Sequence, residues 1–93
     1  MSSRSLDPLD WRAESPGPPW PVPPDSFLHA QEHAGAPGRK RRWRQKGGRR
    51  LYEWDDVHGH IEAYNARGRH VGVLDAITGV MIGEAVPGRR IDV

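Results

Sequence analysis

An aspartate, two histidines and a glutamate fall within eight residues of one another, at Asp55, His58, His60 and Glu62. Histidine can give or take a proton near neutrality because its unperturbed pKa is about 6.5. One carboxylate beside a histidine can orient the ring, and a second can act as its partner in proton transfer. These residue types therefore suit acid–base catalysis.

A dense basic run precedes this cluster. Eight of the twelve residues from 39 to 50 are basic: Arg39, Lys40, Arg41, Arg42, Arg44, Lys46, Arg49 and Arg50. The planar guanidinium of arginine binds phosphate through two parallel hydrogen bonds, so the run predicts a phosphate-contact surface. We expect Trp43, inside the run, to pack in the core rather than stack on a base.

Cleavage of RNA without a metal ion needs a base for the 2′-hydroxyl, an acid for the departing 5′-oxygen and a cation for the developing charge. We expect Glu62 as the base and His58 as the acid, with Asp55 orienting His58. The spacing allows the two proton-transfer roles to be exchanged. A polar sheet surface with cross-strand charge pairs would show the same spacing.

Metal binding is the other chemistry that these residues allow. His58, His60 and an acid could hold zinc, but no clear further ligand accompanies them. His29 and His33 are four residues apart and also lack a third ligand, so surface positions are expected for both. The sequence therefore predicts neither a metal ion nor a cofactor.

The composition of the 93 residues indicates one small domain with a leader. Residues 1–38 hold two arginines against five acids (2 − 5 = −3), and residues 39–93 hold twelve basic residues against seven acids (12 − 7 = +5). Such asymmetry favours a basic unit that binds nucleic acid or an acidic protein. The chain has no cysteine, no signal-peptide pattern and no apolar run long enough to span a membrane.

The leader, residues 1–38, contains eight of the nine prolines. Proline fixes φ and lacks the backbone donor, so an extended, polyproline-like segment is expected. Trp20 is a candidate contact with the domain, and a solvated tether is the alternative. A short helix is predicted at about residues 25–34, capped by Asp25, with a further helical turn around residues 9–13.

Residues 39–93 show the pattern of a small β domain. Short alternating segments separated by glycine turns predict an antiparallel meander with strands at 41–45, 49–54, 60–65, 70–74 and 80–83. If residues 56–57 form a two-residue turn, Asp55 faces His58, and period-two alternation puts His58, His60 and Glu62 on one face.

At these residues the sequence resembles the ribosome-inactivating ribonuclease domain of cloacin and the E-group colicins. The resemblance covers about residues 39–93. It rests on Arg39-Lys40-Arg41-Arg42-Trp43, Tyr52-Glu53-Trp54-Asp55, His58-Gly59, Glu62, Tyr64, His70 and Pro87-Gly88-Arg89-Arg90-Ile91. It implies a mainly β (α+β) fold, with a highly twisted antiparallel sheet and a short N-terminal helical segment.

The resemblance also implies residue roles. The catalytic aspartate, histidine and glutamate of the family fall on Asp55, His58 and Glu62, and its C-terminal catalytic arginine falls on Arg89. The neighbouring Arg90 would contact RNA, and Tyr52 and Tyr64 match aromatic residues that line the cleft. His60 stands where the family has a second glutamate, which changes the charge around the site.

The family implies a metal-independent cut in small-subunit (16S) rRNA at the decoding site of the bacterial ribosome, which blocks translation. It implies a tightly bound acidic immunity protein or antitoxin, and action in a bacterial cytoplasm. The chain would be either part of a larger delivered toxin or a free-standing toxin. The alternative function is a non-catalytic RNA- or ribosome-binding protein that uses the same basic surface.

Overall fold

The structure, a computed structural model, describes residues 18–93 and shows six strands in one antiparallel sheet. Each strand pairs with the next along the chain, so the sheet is a meander. The strands are β1 (Glu32–His33), β2 (Arg42–Arg44), β3 (Leu51–Asp55), β4 (His60–Tyr64), β5 (His70–Leu74) and β6 (Met81–Glu84). The mainly β fold is confirmed, and five of the six strands lie within two residues of their predicted bounds.

The predicted helix before the sheet is wrong in length and in cap. The structure has a single 3-10 turn, Phe27–Ala30, whose cap is Ser26 rather than Asp25. The Ser26 hydroxyl accepts a hydrogen bond of 3.1 Å from the N–H of Leu28. The helix cannot continue because the following residues enter the sheet as β1, which the sequence did not predict.

The remaining helical structure is small. A second 3-10 turn, Pro37–Arg39, leads into β2. No helix among residues 18–93 combines the length and the apolar character needed to cross a membrane. The helical turn expected around residues 9–13 lies outside the described part of the chain.

The hydrophobic core lies on one face of the sheet. Its buried members are Leu28, Trp43, Tyr52, Trp54, Ile61, Ala63 and Leu74. Alternation along β3 places Tyr52 and Trp54 on this face, and Leu28 covers it from the 3-10 turn. Trp43 is 5% exposed, so its predicted place in the core is confirmed.

The proline-rich segment before the sheet contacts the β3–β4 connection through Trp20. The Trp20 N–H donates to the carbonyl of Asp56 at 2.7 Å, and the indole N–H of Trp54 donates to the Trp20 carbonyl at 2.7 Å. The Trp20 ring covers Gly59, where an added Cβ would lie 3.1 Å from it. Trp20 therefore contacts the domain, although the residue remains 60% exposed.

A β-bulge in β5 changes which side chains share a face. Ala63 pairs with Gly72, whereas Tyr64 pairs with His70, so Val71 is the extra residue. Such an extra residue changes the face of the sheet on which the following or preceding side chains lie. Without it, Tyr64 would oppose Val71; with it, His70 lies on the face of Tyr64.

The last residues of the chain run beside the start of β5. The N–H of His70 donates to the carbonyl of Arg89 at 3.1 Å, and the N–H of Ile91 donates to that of Gly68 at 2.9 Å. Gly68 has φ +84°, and a Cβ there would collide with the Ile91 carbonyl. Glycine thus permits the close approach that places Arg89 next to the sheet.

Candidate active site

The face of the sheet opposite the core is polar where β3 and β4 pair. Glu53 lies opposite Glu62, and Asp55 lies opposite His60. These four residues alternate with the core residues along both strands. The sequence prediction that His60 and Glu62 share a face is therefore confirmed.

The β3–β4 connection agrees with the predicted start of the next strand at residue 60, but not with the two-residue turn considered at residues 56–57. It spans residues 56–59 rather than two residues, so Asp55 pairs with His60 and His58 lies in the loop. Gly59, with φ +73°, closes the loop in a conformation that other residues rarely adopt. The two-residue turn would have placed His58 on the strand with His60 and Glu62; that placement is wrong, because the strand begins at His60.

Asp55 still reaches His58, through the loop. Its Oδ1 accepts hydrogen bonds from the backbone N–H groups of Val57 (3.0 Å) and His58 (3.2 Å). Its Oδ2 lies 2.8 Å from Nδ1 of His58. Burial raises the pKa of Asp55, but the hydrogen bonds from the His58 ring and from these two N–H groups outweigh it, and the net shift is downward. The ionised carboxylate accepts from Nδ1, which leaves Nε2 of His58 free to meet a ligand.

Glu62 is the residue on which the polar side chains converge. Its side chain is 9% exposed. Oε2 lies 2.9 Å from Nε2 of His60, while Oε1 lies 2.6 Å from Nε2 of His70 and 2.8 Å from Nη1 of Arg89. Buried carboxylates require such partners, and three from three different segments fix the position of this one.

His70 is the functional candidate to which the sequence assigned no role. Its side chain is fully buried, and its Nδ1 accepts a hydrogen bond of 2.9 Å from the backbone N–H of Val86. Because Nδ1 accepts, the ring proton lies on Nε2 and is donated to Glu62. Only the resemblance, which runs through His70, signalled this residue; the bulge that turns it toward Glu62 has no evident sequence signal.

Arg89 reaches the site from the segment after β6. Its Nη1 donates to Glu62, while 46% of its side chain remains exposed. Arg89 can therefore hold the carboxylate and still present N–H groups to an anion in solvent.

His58 and His60 lie side by side at the rim of this face. Their rings stack with centroids 5.4 Å apart and an interplanar angle of 11°. Nε2 of His60 lies between two carboxylates, 3.1 Å from Oδ2 of Asp55 and 2.9 Å from Oε2 of Glu62. His60 thus connects the Asp55–His58 pair to the group around Glu62.

The two tyrosines that were expected to line the cleft lie on opposite faces. Tyr64 lies near Glu62, with its ring edge-on to His70 at 5.3 Å. Burial and the neighbouring carboxylates of Glu53 and Glu62 raise the pKa of Tyr64, so the phenol stays neutral at physiological pH. Tyr52 is 2% exposed in the core, and the structure does not bring it to the cleft.

Most of the basic run is exposed at the surface. Its solvent-accessible members are Arg39, Lys40, Arg41, Arg44, Lys46, Arg49 and Arg50, and Arg90 is exposed near the chain end. Arg42 differs. It donates from Nη2 to the buried Glu53 at 2.9 Å and from Nη1 to the carbonyl of Asp92 at 2.7 Å, with only 12% of its side chain exposed. Its hydrogen bonds hold the structure together and leave little for a ligand.

Comparisons with known proteins assign this chain to a family. The sequence model of the family named Cytotoxic matches residues 29–92, which include all the groups around Glu62. The chain belongs to the Cytotoxic family. The membership suggested by the sequence resemblance is confirmed.

Curated relatives agree with this assignment. The chain is 42% identical to colicin E3 of Escherichia coli over 55 residues, and 40% identical to cloacin of Escherichia coli over 58 residues. These alignments cover 58% and 61% of this chain. The chain spans about a tenth of the length of these relatives, so it corresponds to one part of them.

Proposed function

We propose that this chain is a bacterial toxin endoribonuclease that cleaves small-subunit (16S) rRNA at the decoding site, without a metal ion, and so blocks translation. The observation that carries the proposal is the convergence of Asp55, His58, Glu62 and Arg89 on one polar face, in a member of the Cytotoxic family. Lys40 and Arg90 line one groove with Glu53 of that face, and the exposed arginines and lysines of residues 39–50 suit a polyanion.

In the proposed reaction Glu62 is the base. It takes the proton from a ribose 2′-hydroxyl, and the 2′-oxygen attacks the adjacent phosphorus. The bond from phosphorus to the 5′-oxygen then breaks, and the products are a 2′,3′-cyclic phosphate and a 5′-hydroxyl. His70 and Arg89 hold the Glu62 carboxylate in place for the first step.

His58 is the proposed acid, which protonates the departing 5′-oxygen through Nε2. Its Nδ1 donates to Asp55, so the carboxylate orients the ring. The side chain is 61% exposed, which suits a group that must reach RNA. Arg89 stabilises the negative charge that develops on the phosphate oxygens.

The RNA-binding surface that we propose is made of exposed groups. It comprises Arg39, Lys40, Arg41, Arg44, Lys46, Arg49, Arg50 and Arg90, with Tyr64 at the floor of the site. Two residues that the sequence suggested for RNA binding are not included. Tyr52 is buried in the core, and Arg42 is paired with Glu53.

A basic surface beside a nuclease site also suits an acidic protein that would protect the producing cell. We propose an acidic immunity protein or antitoxin as the partner, attracted by the exposed part of the basic run. The proposed place of action is the cytoplasm of a target bacterium, with this chain delivered as part of a larger toxin.

The test is to add the purified chain to intact bacterial ribosomes with excess chelator and to separate the rRNA on a gel. One discrete fragment from the 3′ end of the small-subunit RNA is expected. Glu62→Gln and His58→Ala should abolish that fragment, whereas His29→Gln, at an exposed histidine outside the site, should leave it unchanged. Folding of each variant is checked by circular dichroism.

Intact rRNA after exposure to the folded wild-type chain would reject the ribonuclease proposal. If the chain then still bound ribosomes in a salt-dependent manner, the non-catalytic RNA-binding alternative would stand.

A further inference from the structure

Asp55, His58 and His60 bring three metal-ligating atoms together at the rim of the polar face. One such atom from each residue lies within 4.8 Å of the other two. The shortest approaches are 2.8 Å, from Oδ2 of Asp55 to Nδ1 of His58, and 3.1 Å, from the same oxygen to Nε2 of His60.

These distances suit a small divalent ion. Zinc binds imidazole nitrogen and carboxylate oxygen at about 2.0–2.2 Å, so ligands of a tetrahedral site lie about 3.3 Å apart. The two short approaches are within about 0.5 Å of that spacing. Two imidazoles and a carboxylate form a donor set that zinc and other late first-row ions prefer, and the exposed side of His58 leaves room for water as a fourth ligand.

His60 makes this donor set particular to this chain. The resemblance places a glutamate at this position in the related toxin domains, which would give one imidazole and two carboxylates. Here the second imidazole stacks against the first, with ring planes only 11° apart, so both histidines are already arranged side by side.

We propose that Asp55, His58 and His60 form a binding site for Zn²⁺ or a similar late transition-metal ion, and that its occupancy inhibits the enzyme. The inhibition, unlike the binding, rests on the proposed ribonuclease function. A bound ion would take the Asp55 oxygen that orients His58 and the His60 nitrogen that contacts Glu62. Nδ1 of His58 would then bind the ion instead of donating to Asp55, so the ring would lose the contact that orients it as the acid.

Binding is tested first, by isothermal titration calorimetry of the full chain with Zn²⁺ alone. One ion per chain is expected for the wild type. His60→Gln should weaken binding by at least about tenfold, since loss of even an outer-shell partner of a metal ligand costs this much. His29→Gln, which removes an exposed histidine elsewhere, is the matched control and should bind like the wild type.

Cobalt absorption gives a second readout that does not depend on activity. Co²⁺ in a four-coordinate site with two imidazoles gives visible bands, which should appear with the wild type and disappear with His60→Gln. Absence of one-to-one binding, or equal binding by wild type and His60→Gln, would overturn the site.

The activity arm uses the ribosome cleavage assay with the wild type. Added Zn²⁺ should reduce cleavage in step with the occupancy measured by calorimetry, and excess chelator should restore it. Full cleavage at saturating Zn²⁺ would overturn the inhibition. If the chain cuts no rRNA under any condition, the proposed function fails, while calorimetry still decides the metal site.

Discussion

Replacing His70 by asparagine or by glutamine should separate the two hydrogen bonds that its ring makes. Asparagine can place an oxygen near the position of Nδ1 and keep the bond from the Val86 N–H, but it is too short to reach Glu62. Glutamine can place an N–H near the position of Nε2 and keep the bond to Glu62, but it loses the acceptor for Val86.

The expected magnitudes follow from the kinds of bond that are lost. A hydrogen bond to a charged group contributes about 1.5–3 kcal/mol, and one between neutral groups about 0.5–1.5 kcal/mol. His70→Asn, which removes the bond to the Glu62 carboxylate, should therefore destabilise the protein more than His70→Gln. Both variants lose the edge-on packing against Tyr64, so that loss cancels in the comparison.

Urea unfolding followed by tryptophan fluorescence gives the free energy of unfolding of each variant. Single-turnover cleavage of ribosomes, at a temperature where both variants are folded, gives the effect on the site. His70→Asn should cleave more slowly than His70→Gln, because asparagine leaves Oε1 of Glu62 with Arg89 as its one donor among residues 18–93. If His70→Gln were the less stable variant, or if asparagine left both readouts at wild-type values, the assignment of the ring nitrogens would be wrong.

Three further predictions concern other parts of the fold. Arg42→Ala leaves the buried Glu53 carboxylate without its ion-pair partner and should cost about 3–5 kcal/mol in urea unfolding, whereas Arg44→Ala, at an exposed position, should stay within about 0.5 kcal/mol. Trp20→Ala should lower the free energy of unfolding by only about 1–2 kcal/mol, because most of the residue is exposed. It should also slow rRNA cleavage, because the loop between β3 and β4 loses the side chain that covers Gly59. Unchanged cleavage would contradict the link between Trp20 and this loop. Hydrogen bonds from a turn lower the pKa of Asp75, so its ionised form stabilises the fold above the unfolded pKa of about 3.9, and this contribution is lost as pH falls through the lower folded value. The urea midpoint of Asp75→Asn should therefore lie below that of the wild type at pH 7 and meet it in strong acid.

Most of the sheet could be predicted from the sequence, because alternation and glycine turns are local signals. Tyr52 and Trp54 alternate with Glu53 and Asp55, and this pattern alone separates the core face from the polar face. β1 was not predicted, because its two residues, Glu32 and His33, show no strand pattern of their own. They become a strand only because they pair with β2.

The site was predictable to the extent that its residues are close in sequence or matched by the family. Asp55 and His58 contact each other as expected, although His58 lies in the loop after Asp55 and not opposite it on the next strand. The role of His70 could not be read from the sequence, since it depends on the bulge at Val71 and on the backbone N–H of Val86. Such positions are set by pairing between distant segments, which no local pattern records.

The packing of Leu28 and Trp20 sets the size of the smallest fragment that should fold. Leu28 is fully buried in the core, and the Trp20 carbonyl accepts the indole N–H of Trp54. Both residues precede position 29, where the family match begins. An expression fragment trimmed to that match would leave a hole under the sheet and an indole donor without its partner. The proline-rich segment from residue 18 onward is therefore a structural part of the domain.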